Sequence, residues 1–145
     1  MEYIINKDTY YLMFDGCKTV IKELSTELVI PGDNLMDILD NSCKYYGSSL
    51  KGRLVGTKNL INSRYRLPII VSERNNLLFF PLNGKKNGEV IWFNFNSIRS
   101  YSKDGDFVSI LFTNGEIKKF MISYTILNNQ IMKCSRMLVI FMNRG

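Results

Sequence analysis

Hydrophobic residues in the first 30 positions occur in short runs separated by polar and glycine-containing segments. Residues 3–5, 9–14 and 17–24 form such runs, and Asp15-Gly16 between the last two is typical of a turn between strands. Pro31-Gly32 ends this region. We therefore expect short strands joined by tight turns over the first part of the chain.

The central region predicts two short helices. The first has Asp33 or Asn34 as its N-cap, followed by apolar residues that share one helical face: Leu35, Ile38 and Leu39. The second begins after Ser48 or Ser49, and its core-facing residues are spaced i, i+4: Leu50 and Leu54.

Two glycines interrupt the second predicted helix. Gly52 and Gly56 each cost a helix about 1 kcal/mol relative to alanine, so their presence indicates close contact with another element or with a ligand. The same helix turns Lys51 and Lys58 mainly outward.

The pattern returns to strands after Pro68. The predicted strands cover residues 69–72, 77–80, 90–95, 107–112 and 116–122. Asn75-Asn76 predicts a hairpin turn, and Asn114-Gly115 predicts a type I′ turn. Residues 81–88, which carry Lys85 and Lys86, read as a polar loop.

The C-terminal region predicts one longer helix that starts after a cap at Ser123. One stripe of side chains steps by three and four residues: Tyr124, Leu127, Ile131, Cys134, Leu138 and Phe141. Further apolar residues lie off this stripe: Ile126, Met132, Met137, Val139, Ile140 and Met142. A helix that is apolar nearly all round is buried on more than one side, so it either lies deep in the domain or meets another chain in a dimer.

Together these elements predict an α+β fold of antiparallel strands and hairpins with two short central helices and one longer C-terminal helix. The length of 145 residues fits one domain, which we place at residues 1–145.

Composition argues against catalysis. The sequence contains no histidine, which removes Ser-His-Asp and Cys-His mechanisms and most zinc sites. Asp37 and Asp40 lie at helical spacing, but a solvated helix face explains them better than an acid–base pair. Residues 47–53 lack the spacing of a phosphate-binding loop. We expect no enzyme, cofactor or metal.

The three cysteines, Cys17, Cys43 and Cys134, are odd in number and far apart, which favours free buried thiols over a disulfide scaffold. No apolar run reaches the roughly 18 residues that a membrane span needs. These features predict a cytoplasmic protein that does not enter a membrane.

Charge is distributed very unevenly along the chain. Residues 1–40 carry three basic and eight acidic side chains, whereas residues 41–72 carry six basic and no acidic ones; the whole protein has a net charge of +6. The basic stretch is interleaved with serines, tyrosines and glycines. Such a mixture suits phosphate binding, because Lys and Arg supply charge while hydroxyls and backbone N–H groups supply neutral donors. A merely solvated basic face is the alternative, and an anionic membrane surface or an acidic protein is a weaker candidate partner than nucleic acid.

The stretch Ser42-Cys-Lys-Tyr-Tyr-Gly-Ser-Ser-Leu-Lys-Gly-Arg-Leu-Val-Gly-Thr57 resembles the ComK competence transcription factors of low-GC Gram-positive bacteria. The similarity continues at residues 66–71, 78–81, 112–116, 122–124 and 129–130, and so covers most of the chain from about Asp40 onward.

This resemblance implies a transcription activator of DNA-uptake genes. Such a protein binds paired A/T-rich boxes of double-stranded DNA, largely through the minor groove, as homodimers that assemble further, and is removed by adaptor-guided proteolysis. It implies a nucleoid-associated protein. Arg53 is the first candidate for groove insertion, and Lys51 and Lys58 are candidates for phosphate contacts. The full set of predicted DNA-contacting residues is Lys44, Ser48, Ser49, Lys51, Arg53, Thr57, Lys58 and, from charge alone, Arg64.

Members of this family usually continue for some tens of residues beyond the point that matches Gly145. Either a polar tail has been removed, or the chain is a naturally short paralogue. The second case yields an alternative function, in which the chain is a dimerisation module that modulates a full-length activator.

Overall fold

The computed structural model describes residues 2–61 and 63–144, which form two antiparallel sheets and three α-helices. The large sheet has the strand order β3-β2-β1-β6-β5-β4, and the small sheet has the order β7-β8-β9. The strands are β1 Thr9–Phe14, β2 Lys18–Glu23, β3 Glu27–Pro31, β4 Ile69–Ser72, β5 Leu77–Asn83, β6 Val90–Asn94, β7 Ile98–Asp104, β8 Phe107–Phe112 and β9 Ile117–Phe120. The helices are α1 Leu35–Tyr45, α2 Leu50–Ile61 and α3 Tyr124–Arg144. The α+β prediction is confirmed.

The central strands of the large sheet are apolar on both faces because both faces are covered. In β5, Leu78 and Phe80 point to one side and Leu77 and Phe79 to the other, and all four are buried. This is why the sequence shows an uninterrupted apolar run here rather than an alternation.

Two hydrophobic cores share this sheet. The first core lies between the large sheet, the small sheet and α3, and contains a group of aromatic rings that includes Tyr11, Phe93, Phe112 and Phe120. The second core lies on the opposite face, where α1 and residues near Ile5 cover the sheet.

Helix α2 lies at the β4 edge of the large sheet, where it contacts α1, β4 and α3. One side of the helix is buried at Thr57 and Ile61. Its outer side, with Lys51, Val55 and Lys58, is exposed. This helix carries four of the eight predicted contact residues, Lys51, Arg53, Thr57 and Lys58.

The strand predicted over residues 3–5 is absent. The backbone of Ile5 instead bonds to helix α1 and the turn that follows it: its N–H donates to Ser42 Oγ at 2.9 Å, and its carbonyl accepts from the Tyr46 hydroxyl at 2.7 Å. Side chains of the helical region therefore satisfy the backbone groups that a neighbouring strand would otherwise pair with.

The structure also changes the bounds of one predicted loop and adds two strands that were not predicted. The polar loop predicted for residues 81–88 is shorter, because β5 continues to Asn83 and places Leu82 in the first core. Strands β3 and β7 were missed. Both are mostly exposed and lie at sheet edges, so they lack the apolar pattern that identifies a buried strand.

The turn at Asn114-Gly115 is not type I′, which requires a positive φ at both residues. Only Gly115 has one, at 90°. The Phe112 N–H donates to the Glu116 carbonyl, which makes a three-residue connection with the glycine in the left-handed position.

Helix α3 begins where predicted, with the Ser123 hydroxyl accepting from the Ile126 N–H. Its buried residues are Leu127, Gln130, Cys134 and Met137, so the buried face lies beside the predicted stripe. Tyr124 is partly exposed, and Met132 and Val139 are 63% and 57% exposed. The side chain of Met142 lies outside the described part of the chain.

All three cysteines are free. Cys43 and Cys134 are buried as expected, whereas Cys17 is exposed. Burial raises the pKa of the Cys43 thiol to about 11. Across residues 2–61 and 63–144, no helix combines the length and the apolar character needed to cross a bilayer.

Candidate nucleic-acid interface

The fold converts the uneven charge of the sequence into a charge separation in space. Most of the acidic N-terminal region forms β1, β2 and β3 at one side of the large sheet, although Asp37 and Asp40 lie on α1. The basic region 41–72 forms the end of α1, α2 and β4 at the other side. Six strands at about 4.8 Å spacing place the two sheet edges about 24 Å apart. The basic edge therefore presents its positive field away from most of the acidic side chains.

The turn between α1 and α2 explains much of the Gly-Ser-Ser sequence. Gly47 has a φ of 93°, and the N–H of Ser48 donates to the carbonyl of Cys43 at 2.9 Å, as in a Schellman helix ending. Ser49 then caps α2, because its Oγ accepts from the Gly52 N–H at 3.0 Å. These residues first serve to build the helical connection.

Asp40 also caps α2. Its carboxylate accepts from the Leu50 N–H at 3.0 Å and lies 3.0 Å from Lys44 Nζ. The backbone hydrogen bond and the lysine together hold the pKa of Asp40 below its usual value. The carboxylate thus joins α1 to the start of α2.

Four of the predicted contact residues are exposed lysines or arginines: Lys44, Lys51, Lys58 and Arg64. Lys44 pairs with Asp40, but the ion pairs between described residues include none to Lys51, Lys58 or Arg64. Within residues 2–61 and 63–144, these last three charges therefore have no ion-pair partner.

Arg53 is held inside a groove. Its side chain is only 20% exposed, and its Nη1 donates to Glu73 Oε1 at 3.1 Å. The groove lies between α2, β4 and the end of α3, and Ser48 and Phe141 line it with Arg53. In this arrangement the guanidinium is occupied by a carboxylate from the protein itself.

The two glycines of α2 border the same groove. A Cβ at Gly52 would lie 3.2 Å from Ser49 Oγ, so the helix start packs closely on its own cap. A Cβ at Gly56 would meet no described atom within 4 Å. The atoms close to Gly52 belong to the cap of its own helix, so contact with another element is wrong for both glycines, and contact with a ligand stays a prediction.

Thr57 is 2% exposed, and its hydroxyl hydrogen-bonds to the carbonyls of Arg53 and Pro68 at 3.1 and 2.7 Å. The second bond joins α2 to the segment that leads into β4. The structure places this side chain inside the protein, so we leave it out of the proposed interface.

In the segment that follows α2, the sequence assigns a role to Arg64 alone. Tyr65 is 65% exposed, and Arg66 lies over its ring at 4.4 Å. Lys133 Nζ of α3 donates to the Tyr65 carbonyl at 2.8 Å. Exposed tyrosine and clustered charge within residues 41–72 were the available signals, but α3 is brought here only by folding.

Lys51, Lys58 and Arg64 can bind phosphate groups, since no ion pair among the described residues neutralises their charges. The described residues contain no group of His, Cys, Asp and Glu side chains arranged to hold a metal ion. The fold and the surface charge together describe an α+β protein whose large sheet has a positively charged edge. Such an edge suits the binding of a polyanion.

The chain belongs to the ComK family: the family model described as ComK protein matches residues 1–145. A similar curated protein is the competence transcription factor of Bacillus subtilis (strain 168), which is 26% identical over 110 residues. The match covers 75% of this chain and 57% of that relative, so the chain spans little more than half of the relative's length. No solved structure matches the chain.

Proposed function

We propose that this protein is a transcription regulator of competence genes that binds double-stranded DNA through the α2 edge of its large sheet. The observation that carries the proposal is the placement of Lys51, Lys58 and Arg64 on the edge remote from the acidic strands, exposed and without ion-pair partners among the described residues. Membership of the ComK family and similarity to a competence transcription factor support it.

The preferred target is a pair of A/T-rich boxes, contacted largely in the minor groove. A-tracts have a narrow minor groove with a strong negative potential, which attracts arginine and lysine without many hydrogen bonds to base edges. Lys44, Lys51 and Lys58 contact phosphates. Arg64 is exposed and enters the groove, and Arg53 joins it when it leaves Glu73.

A titration of this chain with two duplexes of equal length tests the proposal. One duplex contains two A/T-rich boxes and the other is G·C-rich, and binding is measured at several salt concentrations. The logarithm of the binding constant falls with the logarithm of salt concentration by about 0.9 per phosphate contact. A preference for the A/T duplex that persists as salt rises supports specific recognition.

Equal, salt-sensitive binding to both duplexes would contradict A/T recognition and leave only electrostatic attachment. Absence of binding would favour the second candidate function, a module that pairs with a full-length activator. That candidate rests on the exposed apolar side chains of Met132 and Val139, which lie seven residues apart on one face of α3. We propose this face as the homodimer contact in either case.

A DNA-bound regulator acts in the cytoplasm on the nucleoid, so this location is part of the proposal. Removal by an adaptor protein stays a prediction of the family resemblance.

A further inference from the structure

Residues 63–67 present an aromatic ring next to concentrated positive charge. Tyr65 is among the most exposed aromatic side chains in the described part of the protein, and the Arg66 guanidinium lies over its ring. One face of the ring is thus covered by a cation, while the rest of the ring is open to solvent. Arg64, immediately before it, is also exposed.

The backbone beneath this ring is fixed by α3. Gln130 Nε2 donates to the Arg66 carbonyl at 2.9 Å and to the Pro81 carbonyl at 2.6 Å, and Lys133 Nζ donates to the Tyr65 carbonyl. Arg66 has a φ of 47°, in the left-handed region that residues with a Cβ rarely adopt. Surrounding contacts must hold such a residue in place, and positions of this kind concentrate at ligand-binding sites.

The fold also brings positively charged side chains of α3 close to the Tyr65 ring. Lys133 lies near Arg66, and burial together with this arginine lowers the pKa of the Lys133 ammonium. Arg136 is exposed one turn further along α3. The charges of α3 and of residues 64–66 therefore add to one field around Tyr65.

We propose that Tyr65 and Arg66 form a stacking platform for an unpaired nucleobase, so that the protein binds single-stranded DNA at this segment. Proteins that bind single strands combine cations that follow the phosphates with aromatic rings on which bases stack. Arginine strengthens such a site because its planar guanidinium stacks on the aromatic ring. A rigid backbone adds to this, because little conformational freedom is lost when a base binds.

This ligand differs from the duplex of the proposed function. In a duplex each base is already stacked on its neighbours, so no base is available to stack on the free face of the Tyr65 ring. An unpaired strand offers both the flat base and the flanking phosphates that Arg64 and Lys133 can attract. The two proposals can therefore fail separately.

The test compares two labelled single strands of about 15 nucleotides, which is within the site size of single-strand-binding folds. One strand is oligothymidine and the other carries abasic sites throughout, so both have the same phosphate charge. Fluorescence anisotropy measures binding of each strand to the wild-type chain and its variants, and the A/T duplex is titrated alongside.

We expect the wild-type chain to prefer oligothymidine over the abasic strand by roughly 5- to 100-fold, as for one stacked base. Tyr65→Ala abolishes this preference, whereas Tyr65→Phe keeps it because the ring remains. Tyr124→Ala, which removes a partly exposed tyrosine from the start of α3, is the matched control and keeps the preference. Unfolding curves establish that each variant is folded.

Equal wild-type binding to the two strands overturns the inference, and so does a preference that survives Tyr65→Ala. If the A/T duplex still binds in either case, the proposed duplex function stands. If oligothymidine is preferred and no duplex binds, the platform stands and the duplex function fails.

Discussion

Arg53 Nη1 donates to Glu73 Oε1 across 3.1 Å and so ties α2 to the turn between β4 and β5. The Arg53 Nε is buried and has no hydrogen-bond partner in the described structure. The same guanidinium was the first candidate for insertion into the minor groove. If Arg53 contacts DNA as proposed, this ion pair has to open first, and we expect Glu73 to compete with DNA for the arginine.

Replacing Glu73 with glutamine tests this competition. Glu73→Gln removes a negative charge from the basic edge and frees Arg53, so we expect duplex binding to tighten by roughly 2- to 10-fold at low salt, because charge near phosphates dominates affinity. Arg53→Ala alone weakens binding. In the Arg53→Ala background, Glu73→Gln has a smaller effect, measured in the same titration. An equal effect in both backgrounds would show that Glu73 acts on the general field and not on Arg53.

We expect the exposed lysines of α2 to make phosphate contacts that are independent of base sequence. Lys51→Ala and Lys58→Ala should each lower the salt dependence of duplex binding by about 0.9 in the log–log slope. They should weaken A/T and G·C duplexes alike. Lys18→Ala removes a lysine of β2 that is also exposed, on the acidic side of the sheet, and should leave the slope unchanged. A Lys18 effect as large as that of Lys58 would contradict a localised interface.

We predict that Thr57 stabilises the fold and makes no contact with DNA. Thr57→Val keeps the shape but removes the hydroxyl that bonds to the carbonyls of Arg53 and Pro68. We expect the free energy of unfolding to fall by about 1–3 kcal/mol, because the buried Pro68 carbonyl loses the hydroxyl that donates to it. Thr57→Ser retains the hydroxyl and loses less. We expect the folded variant to bind DNA with wild-type affinity. A lower affinity, measured where the variant is fully folded, would show that Thr57 belongs to the interface.

The cap that Asp40 provides for α2 depends on pH. Its pKa in the folded protein is lowered by the Leu50 N–H and by Lys44, so its contribution to stability is present above the unfolded-state value of about 4 and is lost as the pH falls through the folded value. Asp40→Asn should lower the thermal midpoint at pH 7, and the difference from wild type should shrink below about pH 4. Thermal unfolding followed by circular dichroism at both pH values measures this. An unchanged difference at low pH would mean that the charge of Asp40 is not what stabilises the helix start.

The outer face of α3 is the proposed dimer contact. Met132→Glu and Val139→Glu place a charge on side chains that are largely exposed, so they should shift the protein toward monomer without unfolding it. Sedimentation velocity over a range of concentrations reports the change. Ile117→Glu, a comparable substitution at an exposed position of β9, serves as the control. A wild-type chain that is monomeric at every concentration would refute the contact.

Leu138, unlike Met132 and Val139, is not a largely exposed residue of α3. It is partly buried and packs on the first core. A charge at Leu138 should therefore disrupt the fold, so this substitution does not test the dimer. Helical periodicity alone does not decide whether Leu138 faces the core or another chain.

The sequence by itself determined the elements whose burial leaves a regular pattern. The central strands β1, β5, β6 and β8, the Ser49 cap of α2 and the start of α3 at Ser123 follow from local spacing and local hydrogen bonds, which act over a few residues. The free cysteines and the concentration of positive charge in residues 41–72 were equally visible. The similarity to ComK was carried by the same central stretch.

Only the tertiary structure decided which of those charged side chains are exposed and free of internal partners among the described residues. Arg53 lies beside Glu73, 20 residues later in the chain, Thr57 beside Pro68, and Tyr65 beside Lys133, 68 residues later. Edge strands β3 and β7 were also settled only by folding, since exposure removes their hydrophobic signature. Charge and periodicity are properties of a linear sequence, whereas burial and pairing depend on which distant segments meet.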